Sequence, residues 1–224
     1  MHRWLAVTSI TIAAFYSPAA MAQNASFFTA SYVEVGPVLT KVGALALRNY
    51  RDTARKEQSA AEIEVLQRIE RSNQFVVLAA WADRAAYDAQ AASENAKKLG
   101  EKLQTLLAAP IDARLNTGLS VAVPKPGKDA VIAVTHLDVL PSGKDGTAAA
   151  LEQLADESRK HAGNLQFDVW QQTEHPNHFT IVESWSNQGA FDLHQMQRET
   201  REFRAKIAPM LGALFDERLY KALK

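Results

Sequence analysis

Residues 177–194 read N-H-F-T-I-V-E-S-W-S-N-Q-G-A-F-D-L-H and join a predicted strand to a predicted helix. The first part is apolar and β-branched and ends at Trp185, and two favourable helix N-caps, Ser186 and Asn187, follow it. Beyond them, apolar residues recur at helical spacing as far as His194. The pattern predicts a strand that leads directly into a helix.

A similar stretch lies 104 residues earlier in the chain (177 − 73 = 104). Its matches are Asn73 with Asn177, Phe75 with Phe179, Trp81 with Trp185, Ala86 with Ala190 and Asp88 with Asp192. The offset holds without a gap from Pro37 and Pro141 to Leu115 and Leu219. Because this period is far above the roughly 20–50 residues of solenoid repeats, we predict an internal duplication of one small domain.

Residues 1–22 have the pattern of a signal peptide. His2 and Arg3 precede an apolar run at residues 4–16, and the small-residue motif A-M-A ends at Ala22. A transmembrane anchor is the alternative, but the run is shorter than the roughly 20 residues that span a bilayer. We expect export to the periplasm or the exterior, with cleavage after Ala22.

The mature chain is predicted to contain a first domain at residues 23–122, a linker at 123–128 and a second domain at 129–224. Each domain shows the order β-α-β-β-α-β, with helices predicted at residues 39–56, 83–109, 145–162 and 187–210. The linker includes P-K-P-G-K, a stiff and exposed composition. The order is that of the ferredoxin-like α+β fold, in which both helices cover one face of an antiparallel sheet.

The predicted strands are apolar on both faces. Residues 75–78 read F-V-V-L and residues 131–134 read V-I-A-V, a pattern typical of strands buried on both sides. The face without helices therefore needs a second sheet. We predict that the two domains pack sheet to sheet as a dimeric α/β-barrel, either within one chain or by exchange of halves between two chains.

Charge and composition exclude several classes of function. The chain has 25 Lys and Arg residues against 25 Asp and Glu residues, a balance that argues against nucleic acid or an anionic membrane as partner. It has no cysteine, which excludes disulfides and thiolate chemistry. No H-x-x-x-H or H-E-x-x-H spacing, P-loop, dinucleotide fingerprint or serine-hydrolase motif occurs. We therefore expect no metal site.

The motif F-T-I-V-E-S-W-S-N-Q-G-A-F-D-L-H, followed by an amphipathic helix with Phe203, Ile207 and Leu211, resembles the antibiotic biosynthesis monooxygenase (ABM) family. This family of dimeric α/β-barrel proteins includes cofactor-free quinol and anthrone monooxygenases and haem-degrading relatives. The resemblance implies oxygenation of a quinol or phenolic aromatic with dioxygen and without any cofactor. It also implies a small aromatic ligand. A homodimer of this chain is a further possibility.

Trp185 and His194 are the first two candidate site residues. Trp185 ends a strand beside a helix start, where an indole can line a pocket, and packing in the core is the alternative reading. His194 matches the histidine that follows this strand in many ABM proteins. The resemblance implies that it is the catalytic base, since an imidazole can take a proton from a phenolic hydroxyl. Its counterpart in the first copy, Gln90, cannot act as a base.

Glu183 and His136 complete the predicted substrate-binding set. Glu183 stands where the family commonly has a glutamate just before the tryptophan, and a hydrogen-bonded acid at the sheet edge is the alternative. His136 lies mid-strand, where haem-degrading relatives carry a polar pocket residue, and a buried strand histidine is the alternative. Two other functions stay open. One is a non-catalytic ligand-binding barrel, and the other is haem binding with a histidine as axial ligand.

Overall fold

The computed structural model describes residues 25–57, 60, 62–125, 127 and 129–224, so the predicted signal peptide at 1–22 lies outside the described residues. The first repeat consists of β1 (Phe27–Glu34), α1 (Thr40–Glu57), β2 (Glu62–Arg68), β3 (Gln74–Trp81), α2 (Arg84–Ala91), α3 (Glu94–Gln104) and β4 (Asp112–Ser120). The second consists of β5 (Val131–Asp138), α4 (Lys144–Ser158), β6 (Asn164–Gln172), β7 (His178–Trp185), α5 (Gln188–Gln195), α6 (Arg198–Ile207) and β8 (Asp216–Ala222). Short 3-10 turns occupy Pro37–Leu39, Pro141–Gly143 and Ala208–Met210.

The eight strands form one closed antiparallel barrel in the order β1-β3-β2-β8-β5-β7-β6-β4. Each repeat contributes four adjacent strands, and two seams join the repeats. One seam pairs β2 with β8, and the other pairs β4 with β6. The predicted α+β fold of two ferredoxin-like repeats in a barrel is therefore confirmed, and the barrel closes within one chain.

Strands such as β1, β3 and β7 are buried on both faces because each face packs against a different core, whereas β4 and β8 are mostly half-buried or exposed. One cluster fills the barrel interior and includes Val134 and Val182. The other two lie between the sheet and the helices, one in each repeat. Successive side chains of a strand point to opposite faces. On β7, Ile181 and Trp185 therefore face the helices of the second repeat, whereas Val182 faces the barrel interior.

The prediction of one long helix after each central strand was wrong. Residues 83–109 contain α2 and α3, and residues 187–210 contain α5 and α6. In the first repeat, Ser93 adopts an extended backbone and its side chain accepts a hydrogen bond from the amide of Ala96 at 3.1 Å, so a new helix begins there. Gln197 takes the same place in the second repeat, with φ −62° and ψ 150°. Among the described residues, no helix combines the length and apolar character needed to cross a membrane.

Candidate functional site

The junction of β7 and α5 brings Trp185 and His194 into contact. Trp185 ends β7, and the side chain of Asn187 caps α5 by accepting a hydrogen bond from the amide of Ala190 at 3.0 Å. This cap starts the helix that carries His194 back over the outer face of the sheet. The indole and imidazole rings stack, with their centroids 4.5 Å apart and an interplanar angle of 23°. The pair lies under the helices and outside the barrel interior.

Glu183 connects these two rings through a single carboxylate oxygen. Its Oε2 accepts a hydrogen bond from Nε1 of Trp185 at 3.0 Å and lies 3.3 Å from Nε2 of His194. All three residues are buried, and Glu183 and His194 are only 4% and 2% exposed. A hydrogen-bonded acid, an imidazole and an indole therefore form one compact group.

Burial shifts the pKa values of the acid and the imidazole in opposite directions. It raises the pKa of Glu183 to about 8, although the hydrogen bond from Trp185 opposes this shift. It lowers the pKa of His194 to about 3, and the nearby charges of His161 and Arg204 lower it further. At neutral pH the proton therefore resides mainly on Glu183, beside a neutral imidazole.

His161, which follows α4, links the buried group to the surface. Its Nδ1 lies 3.1 Å from Nδ1 of His194, so one of these two atoms must carry a proton and the other must accept it. Thr200 on α6 lies 3.4 Å from the same nitrogen of His194 through its Oγ1. The other ring nitrogen of His161 is 4.0 Å from the carboxylate of Glu199, at a side chain that is 16% exposed. A series of contacts thus leads from the buried carboxyl group of Glu183 through His194 and His161 to the surface.

A small cavity adjoins this group between the sheet and α5–α6. It has a volume of about 20 Å³, room for roughly one water molecule, and its wall includes Glu183 and His194. Thr135 on β5 contributes a buried hydroxyl that has no hydrogen-bond partner among the described residues. Glu217, which pairs with Thr135 across β5 and β8, and Arg204 also line the cavity and form an ion pair at 3.0 Å. The free hydroxyl of Thr135, the carboxyl group of Glu183 and the guanidinium of Arg204 thus line the same small cavity.

The structure separates His136 from the other predicted site residues. Thr135 and His136 are neighbours on β5, so their side chains lie on opposite faces of the sheet. Thr135 faces the cavity, and His136 faces the barrel interior with its Nε2 2.7 Å from Oδ1 of Asp138. Of the four predicted residues, Glu183, Trp185 and His194 lie together and His136 does not.

A second cavity, of about 80 Å³, lies at the barrel interior. Phe28 and Trp170 stack on its wall with ring centroids 5.0 Å apart. Asp168 also lines it, and burial raises the pKa of this acid to about 6. This cavity is the larger of the two, but it contains neither the tryptophan nor the histidine of the β7–α5 junction.

Sequence reasoning missed Thr135, His161, Thr200, Arg204 and Glu217. Comparison of the two copies at the offset of 104 residues could have indicated Arg204 and Glu217. Three ionisable residues of the site correspond to small apolar residues or glycine in the first copy: Glu183 to Ala79, Arg204 to Gly100 and Glu217 to Ala113. Without that acid, Trp81 donates its indole N–H to Oγ1 of Thr29 at 3.2 Å instead. The polar group is therefore specific to the second repeat.

Known proteins resemble the second repeat of this chain. Residues 130–206 match the model of the family "Antibiotic biosynthesis monooxygenase". "Putative monooxygenase YcnE" of Bacillus subtilis (strain 168) is 24% identical over 86 residues, which cover 38% of this chain and 90% of that protein. The matched region contains the β7–α5 junction and most of the cavity wall.

Solved structures share the fold of both repeats. A "putative monooxygenase" from Lactobacillus acidophilus NCFM superposes with a TM-score of 0.72 at 11% identity, covering 89% of this chain and 95% of that one. A "putative monooxygenase" from Fusobacterium nucleatum has a TM-score of 0.76 at 12% identity, and the match covers 89% of this chain and 93% of that one. An "anthrone oxidase-like protein" has a TM-score of 0.71 at 12% identity, covering 90% and 92%. Residues 130–206 thus match the antibiotic biosynthesis monooxygenase family, and the two-repeat barrel has the same fold as these solved structures.

Proposed function

We propose that the chain is a cofactor-independent monooxygenase that oxidises a quinol or another phenolic aromatic with dioxygen in the helix-side cavity of the second repeat. The observation that carries this proposal is the position of Glu183. Its carboxyl group lines the cavity and contacts both the indole of Trp185 and the imidazole of His194. When it is ionised, a carboxyl group with a raised pKa is a stronger base than an ordinary carboxylate, so it can accept the proton of a hydroxyl substrate.

In the proposed reaction the chain carries out the proton transfers and the substrate supplies the electrons. Glu183, whose pKa is about 8, takes the hydroxyl proton in its ionised form, which is the minor form at neutral pH and the major form above pH 8. His194 can receive that proton at Nε2 and release another from Nδ1 to His161, which reaches solvent. The substrate anion then reduces dioxygen. In the overall change a ring CH₂, or its phenol tautomer, becomes C=O, and the second oxygen atom leaves as water with the two hydrogens.

The geometry also indicates how an aromatic ring would bind. The imidazole of His194 lines the cavity and is held in place by stacking on the indole of Trp185, and the free hydroxyl of Thr135 can donate to a substrate oxygen. The cavity of about 20 Å³ is too small for a ring. Substrate entry therefore requires α5 and α6 to move away from the sheet. Closure behind the substrate would exclude water from the reactive anion.

The geometry does not favour haem binding at this site. An axial ligand needs a ring nitrogen with a free lone pair facing the iron. Both nitrogens of His194 already lie near partners, Nε2 near Glu183 and Nδ1 near His161. The remaining alternative is a non-catalytic barrel, and the oxygen-uptake experiment below distinguishes it from the proposed enzyme.

The experiment is oxygen uptake by the mature chain with anthrone, a naphthoquinol and simple catechols. Glu183→Gln preserves the size of the side chain and an acceptor for Trp185, yet it removes the base. We expect Glu183→Gln and His194→Ala each to lower turnover roughly 10²–10⁴-fold, the usual cost of losing acid–base catalysis. His161→Ala should lower turnover less and respond to added imidazole, since this side chain is partly exposed.

Gln90→Ala is the matched control, because Gln90 is the buried counterpart of His194 in the first repeat. It should leave turnover unchanged. Thermal melts of every variant establish that each is folded at the assay temperature. If the unmodified chain takes up no oxygen with any member of the panel, or if Gln90→Ala and His194→Ala have equal effects, the chain is a non-catalytic barrel.

We also propose that the chain is exported, on the pattern of residues 1–22. Intact-mass analysis of the protein from its own host tests this proposal. A mature chain that begins at Gln23 is expected, and a mass that retains residues 1–22 would contradict it.

A further inference from the structure

Three metal-ligating side chains meet at the end of the β5–β7 pair, away from the cavity of the proposed enzyme. Asp138 is the last residue of β5 and pairs directly with His178, the first residue of β7. His136 lies two residues before Asp138 and therefore on the same face of the sheet. One potential ligand atom from each of the three side chains lies within 4.8 Å of the other two.

The contacts within this cluster are short, but they are not hydrogen bonds. Oδ1 of Asp138 lies 2.7 Å from Nε2 of His136 and 3.2 Å from Nδ1 of His178. Within the part of the chain that the structure describes, this buried oxygen has no hydrogen-bond partner, and neither has Nδ1 of His136. Buried polar atoms in native proteins are almost always satisfied. A bound cation would satisfy these three converging ligand atoms, which make no hydrogen bonds with one another.

We propose that His136, Asp138 and His178 bind a divalent transition-metal ion of the Zn²⁺ class. Two imidazoles and one carboxylate are a common ligand set for such ions, with solvent completing the coordination. Metal–ligand bonds of about 2.0–2.2 Å in a tetrahedral site place the ligand atoms about 3.4 Å apart. The contacts of 2.7 and 3.2 Å are within 1 Å of that spacing, so small side-chain rotations suffice.

The surroundings suit such an ion in access and in charge. The side chains of Asp138 and His178 are each 26% exposed, so an ion can reach them from solvent. His175 stacks on His178 with ring centroids 5.0 Å apart, which restricts the orientation of the imidazole. The two nearby guanidinium groups are neutralised by their own carboxylates, Arg114 by Asp112 at 2.8 Å and Arg218 by Asp216 at 2.6 Å.

The first repeat has the same backbone geometry without the imidazoles. At the offset of 104 residues, the counterparts of His136, Asp138 and His178 are Tyr32, Glu34 and Gln74. There, Nε2 of Gln74 donates a hydrogen bond to Oε2 of Glu34 at 3.0 Å, so the carboxylate is satisfied by an amide. The two equivalent sites thus differ in the imidazoles that a metal needs, and the first repeat supplies a matched control.

The test is metal titration of the full chain, prepared without an affinity tag and stripped with a chelator. Calorimetry with Zn²⁺ and visible absorption with Co²⁺ should show one ion per chain, and the cobalt spectrum should be that of a four- or five-coordinate site. His178→Gln and Asp138→Asn should each weaken binding by more than about 100-fold, because substitutions in the shell around the ligands alone reach 10–100-fold. Gln74→Ala, at the equivalent position of the first repeat, should leave binding unchanged.

Folding is checked by the metal-free melt of each variant. His178→Gln introduces the side chain that the first repeat accommodates at the same place, so its metal-free Tm should equal that of the unmodified chain. Added Zn²⁺ should raise the Tm of the unmodified chain and of Gln74→Ala but not that of His178→Gln or Asp138→Asn. Absence of stoichiometric binding, or affinity retained within a few-fold in both ligand variants, would overturn the proposal.

Discussion

Glu183 is a carboxyl group that the fold buries on the outer face of the barrel. In the first repeat an alanine, Ala79, occupies the equivalent position, so the barrel itself does not require an acid there. Burial of an ionisable group destabilises its charged form unless that form is compensated. The presence of an acid at this position is therefore better explained by chemistry than by packing, in agreement with its place in the wall of the cavity.

The raised pKa of Glu183 predicts how stability depends on pH. Because its pKa rises from 4.5 to about 8 on folding, the folded chain binds more protons than the unfolded chain between these values, and stability falls as pH rises through that range. His194 acts oppositely. Its pKa falls from 6.5 to about 3, so the stability that it contributes is present above pH 6.5 and is lost as pH falls toward 3. Maximum stability is expected between the two effects, near pH 4.5–6.5.

Glu183→Gln isolates this effect. Between pH 6.5 and 8 we expect the unmodified chain to lose about 1–2 kcal/mol, or about 2–8 °C in Tm, and the variant to lose markedly less. Melting curves at half-unit intervals of pH measure the difference. Parallel profiles for the two proteins would show that Glu183 is ionised in the folded chain at neutral pH.

At the scale of elements, the break between α5 and α6 shapes the site. It brings Nδ1 of His194 on α5 within 3.4 Å of Oγ1 of Thr200 on α6. In a single straight helix these two residues would lie on different faces, because residues three or four apart are the ones that share a face. Both repeats contain the break, but only the first has a side-chain cap at it. Ser93 accepts from Ala96, whereas Gln197 makes no side-chain cap bond to its own helix.

This difference predicts opposite effects of two substitutions. Ser93→Ala should destabilise the chain by about 1 kcal/mol, since it removes an N-cap hydrogen bond. Gln197→Ser should stabilise it by roughly 0.5–1 kcal/mol, because a serine at that place can accept from the amide of Thr200 as Ser93 does from Ala96. Urea denaturation of both variants gives the comparison. A loss of stability in Gln197→Ser would mean that the second break has a different geometry.

At the scale of the whole molecule, the two repeats depend on each other through the barrel interior and two seams. The interior cluster contains side chains from both repeats, such as Phe28 beside Trp170. Separation of the repeats would expose this apolar face together with unpaired edges at β6 and β8. Exposed edges and apolar faces promote association.

Residues 129–224 expressed alone should therefore form a dimer or aggregate, with a second copy in place of the first repeat. Light scattering coupled to size-exclusion chromatography measures the assembly. The full chain is the control, because its barrel is already closed. A monomeric half with a cooperative melt would show that the interior cluster is dispensable for folding.

The local patterns of the sequence determined the element types, the repeat and the fold class of this protein. Hydrophobic period, caps and turns act over a few residues, so the strand that ends at Trp185 and the cap at Asn187 could be read directly. The contact of Glu183 with Trp185 was also within reach, because the two residues are neighbours on one face of a strand. The domain boundaries and the signal peptide stay predictions.

Only the tertiary structure decided where these elements meet. It placed Glu183, Trp185 and His194 under the helices rather than inside the barrel. It also placed His136 on the other face of the sheet, because side chains alternate along β5. The contact between His161 and His194 spans 33 residues, and the meeting of Asp138 with His178 depends on the register of two strands. Metal-binding motifs such as H-x-x-x-H join ligands that lie close together along the chain, whereas His136 and His178 lie on separate strands. Because α4 and β6 lie between β5 and β7 along the chain, no hairpin turn fixes the register of these two strands, and their pairing could not be derived from a turn motif.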